Sequence, residues 1–437
     1  MMALTGPLAP EVYDATRTVQ SWWEASAPPD RARPRLEGDR RADVAIIGGG
    51  YAGLSAARVL AGLGIGAAVV EAGAIGWGAS GRNGGIAGPG GHKLSEAALV
   101  RRHGAAEVAR HHAMLAGHLA ELRAFCLGAG LGDQVQGTGE MVLAHSPRAA
   151  RGLDAVPGGY AARPVAPSGL ADVARFGGVV GSPAFGIHPL RLVRALADAA
   201  ESAGAQVFAR APVTQWRREG AGHRLVTPRG SLTAARVLVA TNGFTPDGLH
   251  PVLDGRAIPV ISNIAVTRVL SAGERARHPW LGCDPAADTR NMLSYFRLLP
   301  EGRLLFGMRG DLTGADANTG KMRARVIRRI AQQLPGFAGA AVEYFWRGPV
   351  CATAKLTPTV GWLDRAQGIA CALGWHGSGI GMGTLGGTLA AGLIAGAPED
   401  AIPAPMRGPA PRLPLPGLRP LYVGAALALL AAQDRIT

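Results

Sequence analysis

The chain has 437 residues, 64 of them glycine, with a formal net charge of +14 and a pI near 10.6. That length predicts two domains sharing an interface, while the scatter of the basic residues, all but three of the 45 being Arg, with no aromatic-interleaved basic stripe, argues against a nucleic-acid partner. Four widely spaced cysteines without a CxxC pair, an N-terminus that lacks a secretory signal and a longest apolar run, Leu421 to Ala432, too short to span a bilayer predict a reduced, soluble, cytoplasmic protein.

Residues 1–37 read as an arm rich in Pro and small residues, and the pair Trp22-Trp23 is expected to anchor it on the body of the protein. The stretch RADVAIIGGGYAG, Arg41 to Gly53, then organises everything that follows. Val44 to Ile47 is a short apolar run cut off by glycine, which favours a buried strand. Gly48, Gly50 and Gly53 stand at GxGxxG spacing, for a tight turn, close approach of a pyrophosphate, and close packing of the next helix on the strand. Apolar residues from Leu54 to Leu63 recur at helical spacing, so free N–H groups at that helix's start face the phosphates. A second strand, Ala67 to Val70, ends on Glu71, placed to accept hydrogen bonds from ribose hydroxyls, and Ala72 follows it. This is a complete dinucleotide-binding βαβ unit, and by itself it leaves NAD and FAD open.

A second glycine-rich loop, Gly76 to Gly85, offers backbone N–H groups and the side chains of Ser80, Arg82 and Asn83 to an extended charged ligand. Residues 94–127 read as helices interrupted at Gly104; their histidines, His103, His111, His112 and His118, lack a partnering carboxylate cluster, so no metal is predicted. A short strand is expected over 139–144, an amphipathic helix from Pro189 to Gly204, and strands over 206–208, 212–217 and 231–240, the last running into Thr241-Asn-Gly243 at a carboxyl edge. From 256 to 346 the pattern changes to alternating strands, over 257–266, 292–298 and 303–307, with a helix from Lys321 to Leu334. Glycine-rich turns return at Gly374 to Gly383 and lead into a small-residue helix, Thr384 to Ala395; a Pro-rich linker and a last amphipathic helix ending near Asp434 close the chain.

The series GGGYAG, Glu71, WGASGRNGG, IHPL, ATNGF, YFRLLPEGRLLFG, a Thr-x-x-x-x-Pro segment and GWHGSGIGMG resembles the D-amino acid oxidase superfamily of FAD enzymes, and the WGASGRNGG loop and SWW arm look most like those of gamma-glutamylputrescine oxidases and related bacterial amine oxidases. The resemblance implies FAD and an α/β fold: a Rossmann-like FAD domain (38–93, 185–255 and 347–400) with an inserted antiparallel-sheet substrate domain (94–184 and 256–346), flanked by the arm and by 401–437. The cofactor set is then Gly48, Gly50, Tyr51, Ala52, Gly53, Glu71, Ala72, Gly78, Ser80, Arg82, Asn83, Gly84 and Gly85, with Val213 at the adenine, Thr241 nearby, and Gly374, Gly377, Gly379 and Ile380 beside the isoalloxazine.

Three departures qualify it. The Arg that holds a substrate carboxylate in glycine and D-amino acid oxidases, three residues before Thr353, is Val350 here; the Asp of that segment is Lys355; and the Cys of a covalent flavin link, five residues before the Thr, is Gly348, with Cys351 displaced from it. An α-amino acid substrate is therefore disfavoured and noncovalent FAD expected. The implied activity is removal of a hydride from the carbon beside an amine nitrogen, giving an imine that hydrolyses to an aldehyde, with oxygen as acceptor. The positive surface favours an amine with a remote acidic group. Alternatives are a D-amino acid or glycine/sarcosine oxidase of the same superfamily and a non-catalytic flavoprotein subunit. The pocket residues expected are Tyr295, Arg297, Lys355 and His376.

Overall fold

The computed structural model describes residues 6–153, 161–165 and 173–436. The remainder of the 94–184 segment and the start of the arm lie outside the described residues. Two eight-stranded sheets dominate. In the first, the path runs Thr359–Asp364, Ile369–Leu373, Gly230–Val239, Gly38–Ile47, Ala67–Val70, Gln206–Phe208, with the hairpin of Gln215–Glu219 and Gly222–Val226 attached to Gly230–Val239. The central pairs are parallel, with Ile46 opposite Leu238 and Val69. Such strands are apolar on both faces because both are covered. Val44 and Ile46 face the helices Tyr51–Gly62, Pro189–Ser202 and Gly379–Ile394, while Ala45 and Ile47 face a core closed by Trp216, Leu249 and Leu253. The helix Gly379–Ile394 can lie directly on Tyr51–Gly62 because a Cβ at Gly387 would collide with the Ala52 carbonyl.

The second sheet has the order Val342–Ala352, Ile258–Val269, Arg303–Arg309, Ser294–Leu298, Ala286–Asp288, Glu140–Leu143, Gly178–Ser182, Ala161–Val165. It is antiparallel except where Ala286–Asp288 runs parallel to Glu140–Leu143. Period-two alternation divides its residues: Met141, Phe296, Leu304 and Phe306 pack under the helix Thr319–Gln333, and the opposite face looks onto a cavity.

Several boundaries differ from the sequence-based expectations. The first strand begins at Gly38, six residues before the apolar run, because pairing with Gly230–Val239 carries its polar start. The helix after the glycines starts at Tyr51, and that of the C-terminal turn at Gly379, both inside glycine runs that periodicity cannot read. Pro212 to Thr214 are not a strand; pairing begins at Gln215. The strands Val342–Ala352, Thr359–Asp364 and Ile369–Leu373 carry no alternating signature and were not expected; the first continues the second sheet beyond residue 346. The arm is anchored as expected: Trp23 is buried, its indole N–H donating to the Asn83 carbonyl at 2.8 Å, and Arg303 lies over the ring of Trp22.

Candidate active site

One cavity of about 470 Å³ runs from Val213, past Glu71 and the turn Gly48–Ala52, to the segment Gly84–Lys93 and the turn at His376, between the two sheets. Gly48 has φ 109°, and a Cβ there would stand 2.8 Å from the Ala240 carbonyl oxygen, so the turn after the first strand demands glycine. Gly53 does not line the cavity; a Cβ on it would overlap the Gly48 carbonyl, which is how the helix is held against its strand. No side chain on the Gly50 cap engages the helix's first N–H groups. The Ser80 hydroxyl accepts from the Tyr51 N–H at 3.1 Å and the Tyr51 hydroxyl donates to the Ser80 carbonyl at 2.8 Å, locking the second glycine loop onto the helix start.

The Glu71 carboxylate accepts from the Gly49 N–H at 2.7 Å and the Gly73 N–H at 2.9 Å, so it braces the turn as well as facing the cavity; burial raises its pKa against these donors. Asn83 is spent inside its own loop, its amide donating to the carbonyls of Ala79 and Ser80 and its side-chain oxygen accepting from Gly85 N. Arg82 stacks over Trp77, donates to the Trp77 carbonyl at 2.6 Å, and is pushed down to about 10 by burial, with no carboxylate at ion-pair distance among the described residues. Gly78, Gly84, Ala72, Thr241, Gly377, Gly379 and Ile380 also reach the cavity, whereas Gly85 and Gly374 lie behind its lining, Gly374 N donating to Asn242 Oδ1 at 2.9 Å.

Of the four expected pocket residues, two face the cavity. Tyr295 covers Gly84, shares a 2.9 Å hydrogen bond with the Ser262 hydroxyl, and is pushed up to about 12 by burial. His376 has a left-handed backbone; its Nε2 lies 3.2 Å from the Thr357 carbonyl, its Nδ1 is buried without a partner, and burial holds its pKa down at about 3. The other two expectations are corrected. Arg297 turns away and donates to the carbonyls of Gly84 and Ile187 and to Gln136 Oε1, clamping the loop from behind, because the glycines at 85 and 186 leave a slot for its guanidinium. Lys355 points from the cavity into the carbonyls of Pro358, at 3.1 Å, and Arg407, at 2.6 Å.

Three charged residues that sequence reasoning missed line the cavity: Lys93, Arg309 and Glu140. Burial pushes Lys93 down to about 7, with Arg309 adding repulsion, and pushes Glu140 up to about 7. Lys93 carried an available signal, as one of three lysines in an Arg-rich chain. The histidine reading also changes: Glu96 joins His92 and His112, their ligand atoms within 4.8 Å of one another, a carboxylate that was not foreseen because it lies on a different helix from His112.

A family model for FAD dependent oxidoreductases matches residues 43–393. The chain belongs to this family. It is 31% identical over 397 residues to a probable oxidoreductase OrdL of Rhizobium meliloti, covering 86% of this chain and 88% of that one. It is 28% identical to the gamma-glutamylputrescine oxidoreductase of Escherichia coli, over 96% of this chain and 99% of that one. The fold matches that of a glycine oxidase from Geobacillus kaustophilus with a TM-score of 0.63 and 23% identity, covering 82% of this chain and 95% of that one. The FAD of this family fits the residues present: a glycine cradle that a Cβ would fill, a helix start whose Gly50 cap offers no side chain to its N–H groups, and a half-buried Arg82 without a carboxylate at ion-pair distance among the described residues. This is an FAD-dependent oxidoreductase. Among the described residues no helix is long and apolar enough to cross a membrane.

Proposed function

We propose that this FAD-dependent oxidoreductase is an oxidase of primary or N-methylated amines that carry a remote acidic group. The carbon beside the amine nitrogen loses a hydride and the nitrogen a proton, and water converts the imine to an aldehyde. FAD, when bound, supplies the two-electron acceptor, and oxygen is taken as the final acceptor, leaving as hydrogen peroxide. The observation that carries this reading is the pair of cations in the cavity, Lys93 and Arg309, neither of which has a carboxylate at ion-pair distance among the described residues. Two like charges lining one cavity favour an anionic group of the ligand. Val350 lines the same cavity and presents an apolar wall where the family resemblance places an Arg for an α-carboxylate. The name of the Escherichia coli relative, an oxidoreductase of a γ-glutamylated diamine, supports the same substrate class.

The protein's own groups position rather than react. Tyr295 stays protonated through the working pH range and can donate a hydrogen bond into the cavity. His376 stays neutral there, so it supplies a hydrogen-bonding edge and not an acid. An anaerobic screen of amines, ω-amino acids, N-methyl amino acids and D-amino acids should show the flavin band bleached by remote-acid amines, with peroxide formed when air is admitted. Fast bleaching by glycine or D-alanine, with none by remote-acid amines, assigns the chain to amino acid oxidation instead.

FAD is proposed to be noncovalent. Gly348 offers no nucleophile, and the Cys351 thiol donates to the Ala352 carbonyl and is pushed up to about 12 by burial. Acid precipitation should release the yellow colour into the supernatant; colour retained in the pellet contradicts the proposal.

A further inference from the structure

Glu140 opens the strand Glu140–Leu143, and the alternation of that strand decides where its carboxylate goes. Met141 enters the core of the second sheet, so Glu140 projects from the opposite face into the cavity. There it lies against Gly88, in the backbone segment that runs from Tyr295's contact at Gly84 to Lys93, and any Cβ at Gly88 would collide with Glu140 Oε2. The missing side chain makes the space the carboxylate occupies. Among the described residues no group donates a hydrogen bond to it and no cation lies at ion-pair distance from it, and burial pushes its pKa up. The cation pair and the carboxylate line one cavity without forming an ion pair with each other.

A half-buried carboxylate that lines a cavity without a protein partner is available to a ligand that supplies the counter-charge. We propose that Glu140 is a specificity-determining residue that binds an alkylammonium group of the substrate, so that the cavity selects an extended zwitterion, ammonium at Glu140 and carboxylate at Lys93 and Arg309. This rests on the amine-oxidase reading above. It adds the residue that recognises positive charge, and it predicts that a simple monocarboxylate or a simple monoamine is an incomplete ligand.

The test uses FAD-loaded protein and reads ligand binding from the perturbation of flavin absorbance, so that it does not depend on turnover. The probes are n-butylamine, butyrate and 4-aminobutyrate with its longer ω-amino homologues. Glu140→Gln should weaken binding of the amine and the zwitterions by roughly 10- to 100-fold, the range for hydrogen bonds to a charged group, and leave butyrate no weaker than in the wild type. Lys93→Met should show the mirror pattern, and Glu140→Asp should recover part of the amine affinity. With any substrate that bleaches the wild type, Glu140→Gln should raise KM far more than it lowers kcat. Equal affinity of wild type and Glu140→Gln for the amine and zwitterions overturns the proposal, as does equal weakening of amine and butyrate. If Glu140→Gln fails to hold FAD, the Glu140→Asp and Lys93→Met comparison decides, and unchanged charge preference in both overturns it. Failure of every amine to bleach the wild-type flavin contradicts the amine-oxidase reading, whereas the charge preference of binding still reports on Glu140.

Discussion

The two walls of the cavity are built on different rules. On the side of the first sheet the surface is mostly main chain: glycines at 48, 49 and 50, a helix start, and a loop whose polar side chains are turned inward to hold their own backbone. On the side of the second sheet it is made of side chains, Tyr295, Arg309, Glu140 and Ser262, each contributed by a different strand through simple alternation. A backbone cradle suits a cofactor whose recognition is common to many proteins, and interchangeable side chains suit a substrate that varies between relatives.

Substitutions separate the two walls, and the largest effect falls on the backbone side. Gly53→Val drives a branched side chain into the Gly48 carbonyl, and the fixed main chain there cannot give way. Loss of bound FAD and of most folded protein is expected, read from flavin absorbance per protein and a thermal melt; a yellow variant with wild-type melting behaviour breaks the comparison. Glu71→Gln comes next. The amide keeps one acceptor but turns an N–H toward one of the two donors, Gly49 N or Gly73 N. Charge-assisted bonds of this kind contribute about 1.5–3 kcal/mol, so FAD affinity measured by ultrafiltration should fall roughly 10- to 100-fold. Unchanged affinity shows that the turn is held without the carboxylate. The smallest effect on chemistry is expected from Lys355→Met. Its ammonium serves two carbonyls outside the cavity, so the rates of flavin reduction by substrate and of reoxidation by air should stay near wild type while the melting temperature drops. A large loss in either rate restores a role near the flavin.

The same contrast explains what was legible in the sequence. The nucleotide side could be read because its determinants are local: Gly48 to Gly53 and Glu71 lie within one βαβ unit, and each position has a steric reason to be what it is. The substrate side was not, because nothing local distinguishes Glu140 at the head of a short strand from any surface glutamate, and only strand pairing brings it beside Gly88. Arg297 shows the reverse error. Its strand and its neighbour Tyr295 were placed correctly, but the direction of a long side chain depends on slots such as that left by Gly85 and Gly186, which belong to other segments. Lys355 stands out in the sequence by its place in the Thr-x-x-x-x-Pro segment and Lys93 by no motif around it; the carbonyls that hold Lys355, one of them that of the distant Arg407, are invisible in the sequence.

The parallel pairing of Gly38–Ile47 with Gly230–Val239, and the seating of Gly379–Ile394 on Tyr51–Gly62, carry a consequence for how the protein is made. The glycine turn leaves the ribosome long before one of the two strands beside it, Gly230–Val239, and the helix that closes it. The nucleotide unit must therefore wait, with apolar edges unpaired, for partners distant in sequence, which is the regime in which chains fold slowly and aggregate readily. Capture of FAD becomes a late event that seals an assembled molecule, so the supply of the cofactor during expression sets the yield of folded enzyme as well as its colour.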